Sequence, residues 1–416
     1  MPRLAVDLTA LRRSRDLRLI TIGQAAASLG TQAALVAIPY QVYVLTRSPF
    51  LVGLVGAVEL GPLIAGALVG GAWADRFDRR KVLLAGQVVV SIAGGLLLAA
   101  SLAGDPHVAI VFALAAVLAG ATAIVQVARA AVVPALAGPE YLRSAIAVNF
   151  GVAQLSSVIG PALAGPLIAV GGVEAVYGLV AGGFAAMLAV TLPLPPLKPT
   201  ARDEPHEPMG RSIAEGLRFV GRNRALMGSF VIDLTAMTFG MPRALFAVLS
   251  LTVFHAGPEG TGLLYAAVAL GALVAAILTG WLEHARWLGR ITIVAVVVWG
   301  LAIAAAGIAP SIWICAALLA LAGAADSVSA VCRSVINQAV TPEHMRGRMS
   351  SVFMLVVTSG PRLGDVESGV AATLLSVTAA VSTGGLLCVM GVGAVMLAFP
   401  QLAAYDGHRE ERTLAA

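Results

Sequence analysis

The chain has 416 residues, of which 59% are hydrophobic and only 12% are charged, and its mean hydropathy is +0.90. A soluble core could not bury so much apolar surface, so the composition excludes a soluble protein and indicates an integral membrane protein. Membrane topology explains most of the net charge of +5, so we expect no nucleic-acid binding.

Twelve apolar stretches are each long enough to cross a bilayer as a helix. The predicted spans are 18–45, 50–74, 82–103, 108–136, 142–170, 173–195, 225–253, 260–283, 291–309, 311–340, 348–375 and 383–400. A polar segment at 196–224 is predicted to be a cytoplasmic linker with an amphipathic helix at 213–220. The sequence thus predicts an all-α membrane protein with six-helix lobes at 1–195 and 225–416, the second ending in a short cytoplasmic tail.

Basic residues indicate the orientation of these spans. Of the 27 lysines and arginines, only Arg47 falls in a predicted outside loop, and only Arg243 and Arg362 lie well within spans. Lys and Arg accumulate in the cytoplasmic loops of membrane proteins. Both termini are therefore expected in the cytoplasm.

The two halves of the chain carry the same short motifs in the same order. The matched pairs include Leu60-Gly61 with Leu270-Gly271, Arg76 with Arg286, and Gly160-Pro161 with Gly360-Pro361. Repeats of like topology, related by an axis along the membrane normal, are typical of transporters that bind substrate near the bilayer midplane between the repeats. The repeat therefore favours two pseudo-symmetric six-helix lobes.

The loop between spans two and three carries a distinctive sequence, GGAWADRFDRRK at 70–81. Its order of Gly, Asp75, Arg76, an aromatic residue and a basic pair resembles the loop signature of the major facilitator superfamily. Asp78 stands where that family usually has glycine. The alternative is a generic positively charged cytoplasmic loop. Gly160-Pro161 in span five is similar to the glycine-proline signature of antiporters in the same superfamily.

The resemblance implies a transporter of the bacterial inner membrane in which spans one, four, seven and ten line a central cavity. Scattered motifs such as Tyr177-Gly178-Leu179 and Thr341-Pro342-Glu343 are similar to the drug-efflux and siderophore-export branch of the family. The expected gate residues are Asp75, Arg76, Arg80, Arg129 and Arg333. For Arg129 and Arg333, the alternative is that each side chain extends to the cytoplasmic membrane surface.

Several ionisable residues fall inside predicted spans, where an unpaired charge is expensive and marks a candidate functional site. They are Glu59, Arg129, Asp233, Arg243, Asp326, Arg333, Arg362, Asp365 and Glu367. Asp233 and Arg333 lie at similar depths, and the family resemblance implies that their spans, seven and ten, both line the central cavity, so we expect an ion pair between them. The resemblance also implies that spans two and eleven lie side by side, so a second pair is expected between Glu59 and Arg362. Asp326 is the preferred proton carrier, and Glu59 and Asp233 are further proton-coupling candidates.

Six residues are expected to contact substrate, namely Gln24, Thr31, Arg243, Arg362, Asp365 and Glu367. Gln24 and Thr31 share a face of span one, where packing between helices is the alternative. Span eleven places Pro361 beside three of these charged residues, and helix-breaking residues at membrane depth are tolerated where the backbone lines a cavity. Asp365 and Glu367 would instead lie in an outside loop if span eleven ended early.

The sequence therefore predicts a secondary transporter, with a proton-coupled exporter of siderophore-like or amphipathic drug-like molecules preferred. An importer on the same fold and a transport-like receptor are the alternatives. The sequence has no phosphate-binding loop and no serine-hydrolase elbow, and its three cysteines lack metal-ligand spacing, so neither an enzyme nor a metal site is expected. The expected partners of a monomer are a small-molecule substrate, protons and the lipid bilayer, with no cofactor beyond the proton gradient.

Overall fold

A computed structural model describes residues 14–197 and 209–406. The basic N-terminal segment, the middle of the predicted linker and the end of the predicted tail lie outside the described residues. Every regular element in the described part of the chain is a helix.

The first three helices begin at local capping signals. Helix α1 (Arg15–Thr46) begins after Ser14, whose hydroxyl accepts a hydrogen bond from the backbone N–H of Leu17. Helix α2 (Pro49–Arg76) begins with proline, which has no N–H to leave unsatisfied. Helix α3 (Arg79–Leu102) begins after Asp78, whose carboxylate accepts from the backbone N–H of Arg80.

The helical stretch Val108–Thr191 contains three helices separated by glycines. Gly138 and Gly172 both have a φ of +65°, a left-handed conformation that glycine adopts without steric cost. The resulting helices are α4 (Val108–Gly138), α5 (140–170) and α6 (173–191). The turns lie close to the predicted boundaries of spans four, five and six.

Helix α7 (Met209–Arg222) confirms the amphipathic helix predicted in the linker. It packs on α13 (Arg346–Leu374), where Oε2 of Glu215 lies 2.8 Å from Nη1 of Arg348. Gly216 allows this close approach, because a Cβ there would lie 3.0 Å from the carbonyl oxygen of Arg348. The second half of the linker is therefore a docked helix.

The predicted seventh span is interrupted near its middle. Helix α8 (Arg224–Phe239) ends at Gly240, and the chain becomes helical again in α9 (Leu245–Val248), which continues as a π-helix over Leu249–Val253. Pro242 lies in the interruption and cannot donate a helical hydrogen bond.

The remaining helices follow the predicted spans closely. They are α10 (Gly257–Leu278), which runs into a short 3₁₀ helix at Thr279–His284, then α11 (Leu288–Gly307), α12 (Ile312–Val340), α13, α14 (Val377–Ala398) and the short α15 (Pro400–Ala403). Helix α13 contains Pro361 and remains helical past Asp365 and Glu367. These two acidic residues therefore lie within a helix and not in a loop.

Nine helices in the described part of the chain are long and apolar enough to cross a membrane. One of them, Glu140–Thr191, contains the turn at Gly172 and accounts for two predicted spans. Predicted spans seven and eleven are not among the nine, because the first is interrupted at Gly240 and the second carries several charges on α13. The all-α membrane architecture predicted from the sequence is confirmed.

The described chain divides into two compact units. Unit 1 contains the helical residues up to Arg47, those from Val58 to the start of the linker, and Gly257–Ala266. Unit 2 contains Ser48–Ala57 and the rest of the described C-terminal half. Within unit 1, α1 and α3 pack on the α4–α6 stretch. Within unit 2, α11 packs on α12 and α14, and α13 packs on α8.

Candidate functional site

Unit 2 contains a buried cluster of charged side chains on α8 and α12. Nη2 of Arg333 lies 2.9 Å from Oδ1 of Asp233 and 3.7 Å from Oδ1 of Asp326. The side chains of Arg333 and Asp233 are only 5% and 3% exposed, whereas that of Asp326 is 22% exposed. The ion pair predicted between Asp233 and Arg333 is confirmed, and the same guanidinium also faces a second carboxylate.

Helix geometry explains why these three residues meet. Asp326 and Arg333 are two turns apart on one face of α12, and α8 brings Asp233 to the same guanidinium. With all three groups ionised, the cluster has one positive and two negative charges. A single proton on either carboxylate would balance it, so the arrangement can respond to protonation.

Several polar atoms of the cluster have no hydrogen-bond partner within it. Nε and Nη1 of Arg333 and Oδ1 of Asp326 are buried and make no hydrogen bond to the described residues. Buried polar atoms are usually satisfied by protein or by ordered water. The cluster is therefore suited to exchanging protons or binding water.

The interruption between α8 and α9 is stabilised by two side chains from other helices. The indole N–H of fully buried Trp299 donates to the carbonyl of Gly240 at 2.8 Å. The backbone N–H of Ala244 donates to Oδ1 of Asp365 at 3.1 Å. Both backbone groups lose their helical partners at the interruption, and unsatisfied backbone is costly within a membrane. Asp365 therefore has a structural contact in addition to its predicted contact with substrate.

Two arginines act on the same acidic residue. Arg243, inside the interruption, interacts electrostatically with both Asp326 and Asp365, and Arg362 interacts with Asp365. Gly56 permits close packing there, since a Cβ at that position would lie 2.9 Å from the Cβ of Asp365. The substrate contacts predicted for Arg243, Arg362 and Asp365 thus fall in one charged region of unit 2.

Two further acidic residues were predicted to be functional, Glu367 and Glu59. Glu367 is half-buried on α13, one turn of helix or less from Asp365. Glu59 belongs to unit 1 and Arg362 to unit 2. The ion pair expected between Glu59 and Arg362 stays a prediction.

The loop between α2 and α3 is tied to the end of α6. Oδ1 of Asp78 accepts from the backbone N–H of Leu197 at 2.9 Å. The guanidinium of Arg80 donates to the carbonyls of Thr191, at 3.4 Å, and Leu192. The sequence prediction missed the role of Asp78, although a carboxylate immediately before a helix is the usual signal for a cap.

The other predicted gate residues of unit 1 make no ion pair with Arg129 in the described part of the chain. Asp75 and Arg76 are exposed at the end of α2. Arg129 makes no ion pair with the carboxylates of the described chain and instead lines a cavity of about 190 Å³ inside unit 1. Gln24 and Thr31, the predicted substrate contacts on α1, line the same cavity. The gate role stays a prediction.

Residues 20–364 match the family model of the Major Facilitator Superfamily, and the chain belongs to this family. It is therefore a multi-pass membrane transporter and not an enzyme. It is 31% identical to the enterobactin exporter EntS of Citrobacter koseri, over 87% of this chain and 86% of the relative. It is 30% identical to the enterobactin exporter EntS of Escherichia coli O157:H7, over 89% and 91% of the two chains.

Solved structures of other transporters share the fold. The nucleoside transporter NupG aligns with a TM-score of 0.70 at 12% identity, covering 94% of this chain and 98% of that chain. A bacterial homologue of the iron transporter ferroportin, in an inward-facing state, aligns with a TM-score of 0.65 at 17% identity, covering 94% and 98%. Identities this low show the fold alone, and they confirm the predicted major facilitator fold.

Proposed function

We propose that this transporter is a proton-coupled exporter of siderophore-like or amphipathic drug-like small molecules. It would act as a monomer in the bacterial inner membrane, with both termini in the cytoplasm. The observation that carries the proton coupling is the buried Asp233–Arg333–Asp326 cluster of unit 2. Export and a siderophore-like cargo are supported by the relatives that are named enterobactin exporters.

Asp326 is the proposed proton carrier because it is the more exposed carboxylate and lies farther from Arg333 than Asp233 does. When Asp326 is protonated, Asp233 and Arg333 balance each other and the cluster is neutral. When the proton leaves, the three residues carry one net negative charge, which Arg243 is left to offset, and incomplete compensation of a buried charge is energetically unfavourable. A proton taken up on one side of the membrane and released on the other thereby biases the equilibrium between two transport states.

The proposal is tested in proteoliposomes of known orientation under an imposed inward proton gradient. Fluorescent cationic drugs are followed beside an enterobactin-like catecholate, with and without a protonophore. We expect gradient-dependent extrusion that the protonophore abolishes. Gradient-driven uptake would instead indicate an importer, and saturable binding without flux would indicate a receptor.

The Asp326→Asn variant tests the assignment of the carrier. We expect it to lose gradient-driven flux while it retains exchange of substrate across the membrane, since exchange requires no net proton movement. Asp105→Asn is the matched control, because Asp105 is an exposed carboxylate in the loop that follows α3, outside the cluster. Normal proton-coupled flux in Asp326→Asn would remove this residue from the mechanism.

A further inference from the structure

Three of the buried polar atoms in unit 1 that have no hydrogen-bond partner among the described residues belong to side chains that line one cavity. They are Nε2 of Gln24, Oγ1 of Thr122 and Nε of Arg129. Gln24 and Thr122 expose only 2% and 9% of their surfaces. Buried polar atoms are usually satisfied by protein, ordered water or a ligand, so unpartnered atoms that converge mark a place where water or a ligand can bind.

All three residues line the same cavity of about 190 Å³. The two nitrogens are donors, and the threonine hydroxyl can donate as well. Among the described residues that line the cavity, one is an arginine and none is acidic. A carboxylate or phenolate oxygen is the group that matches convergent donors beside a fixed positive charge.

One part of the cavity suits an aromatic ring, while Ser28, Gln32 and Gln126 make other parts of the lining polar. Phe184 and Met187 line it from α6, and both types of side chain pack well against aromatic rings. The hydroxyl of Thr31 donates to the carbonyl of Ala27 at 3.0 Å, so it is already satisfied within α1. A cavity of about 150 Å³ can hold benzene, whereas pockets for drug-sized ligands begin at about 300 Å³. The size therefore fits one ring with a small charged substituent.

We infer that this cavity binds a single-ring aromatic acid, either free or as one arm of a larger transported molecule. Arg129 pairs with the acidic oxygen, Gln24 and Thr122 donate to its remaining lone pairs, and the ring packs against Phe184 and Met187. That the bound acid is transported cargo rests on the proposed function. The binding itself requires no proton gradient.

The test is equilibrium binding of radiolabelled salicylate to the purified full-length protein in lipid nanodiscs, without a gradient. Salicyl alcohol is the neutral probe of similar shape. We expect salicylate to bind saturably and about tenfold or more tighter than the alcohol, since hydrogen bonds to charged groups are the stronger ones. Arg129→Gln should weaken salicylate binding about tenfold or more, whereas Arg129→Lys should retain most of it. Arg18→Gln, which alters an exposed arginine of α1, is the matched control and should bind normally.

Equal affinity of Arg129→Gln and the wild type would overturn the inference, as would the absence of salicylate binding to the wild type at millimolar concentration. If Arg129→Gln does not fold, salicylate binding to the near-isosteric Thr122→Val variant tests the site instead. Weaker salicylate binding by several-fold supports the site, and unchanged binding counts against it.

Competition distinguishes the two forms of the ligand. Displacement of salicylate by an enterobactin-like catecholate supports an arm of a larger cargo, while displacement by small aromatic acids alone supports a free acid. Salicylate binding without any transport would count against the proposed export and leave this site standing. Proton-coupled flux without salicylate binding would support the proposed export and count against this binding site.

Discussion

Asp365 on α13 accepts a hydrogen bond from the backbone N–H of Ala244, and this contact joins α13 to the interruption between α8 and α9. Trp299 satisfies the carbonyl of Gly240 at the other side of the same interruption. An interrupted helix at membrane depth is thus completed by one carboxylate and one indole from other helices. A charged residue that the sequence presents as a substrate contact also stabilises the backbone.

The first prediction concerns this hydrogen bond. Asp365→Ala leaves the N–H of Ala244 buried without an acceptor, so we expect a loss of about 1–3 kcal/mol in the free energy of unfolding. Asp365→Asn keeps a side-chain oxygen at the same position, so its free energy of unfolding should fall by less. Thermal unfolding of the purified protein in detergent measures both variants. Equal destabilisation by alanine and asparagine would show that the charge of Asp365, and not this hydrogen bond, is the important contact.

The second prediction concerns the ion pair between Asp233 and Arg333. Removal of Arg333 leaves two buried carboxylates without their shared cation, which costs about 3–5 kcal/mol, whereas without Asp233 the guanidinium still faces Asp326. We therefore expect Arg333→Gln to impair folding or transport strongly and Asp233→Asn to impair them less. The exchange of Asp233→Arg with Arg333→Asp in one protein should restore function only in part, because the new carboxylate would face Asp326.

A double-mutant cycle on the flux rate and on thermal stability measures the coupling between the two positions. Strictly additive damage in the exchanged variant would argue against a direct contact. The Asp105→Asn variant serves again as the control for loss of a carboxylate.

The sequence was sufficient to predict the membrane class, the family and the ion pair, because each depends on a pattern with a direct physical cause. Apolar length predicts a span, and the shared depth of Asp233 and Arg333 predicts their pairing once the family resemblance places both helices at the central cavity. The linker helix was predicted from its amphipathic pattern in the same way. These features are local, or they follow from helix geometry together with the family resemblance.

The interruption in predicted span seven was missed, although Gly240, Pro242 and Arg243 lie within four residues of one another. Its stability depends on Trp299 and Asp365, which are distant in sequence, so local pattern could not reveal that the helix would break there. The role of Arg129 was likewise assigned from a family resemblance. Its unsatisfied Nε and its shared cavity with Gln24 depend on packing between helices.

The third prediction tests whether Asp365 and Glu367 face a water-accessible pathway. Both lie within α13, so their exposure to water should depend on the transport state of the protein and not be constant. Cysteines at these positions are expected to react with a membrane-impermeant thiol reagent at rates that change when substrate is added. Cys315, Cys332 and Cys388 are buried, so they provide a low background. Uniform and complete reactivity would contradict the prediction.

The fourth prediction concerns the docking of the linker helix α7 on α13. A valine at Gly216 would collide with the carbonyl of Arg348 and with Val352, so Gly216→Val should displace α7. Glu215→Gln removes only a partly exposed ion pair, which is worth about 0–1 kcal/mol, and should have a small effect. Limited proteolysis within the linker and the flux rate should both change in Gly216→Val and remain nearly normal in Glu215→Gln. Equal behaviour of the two variants would mean that close backbone packing at Gly216 is not what holds α7 in place.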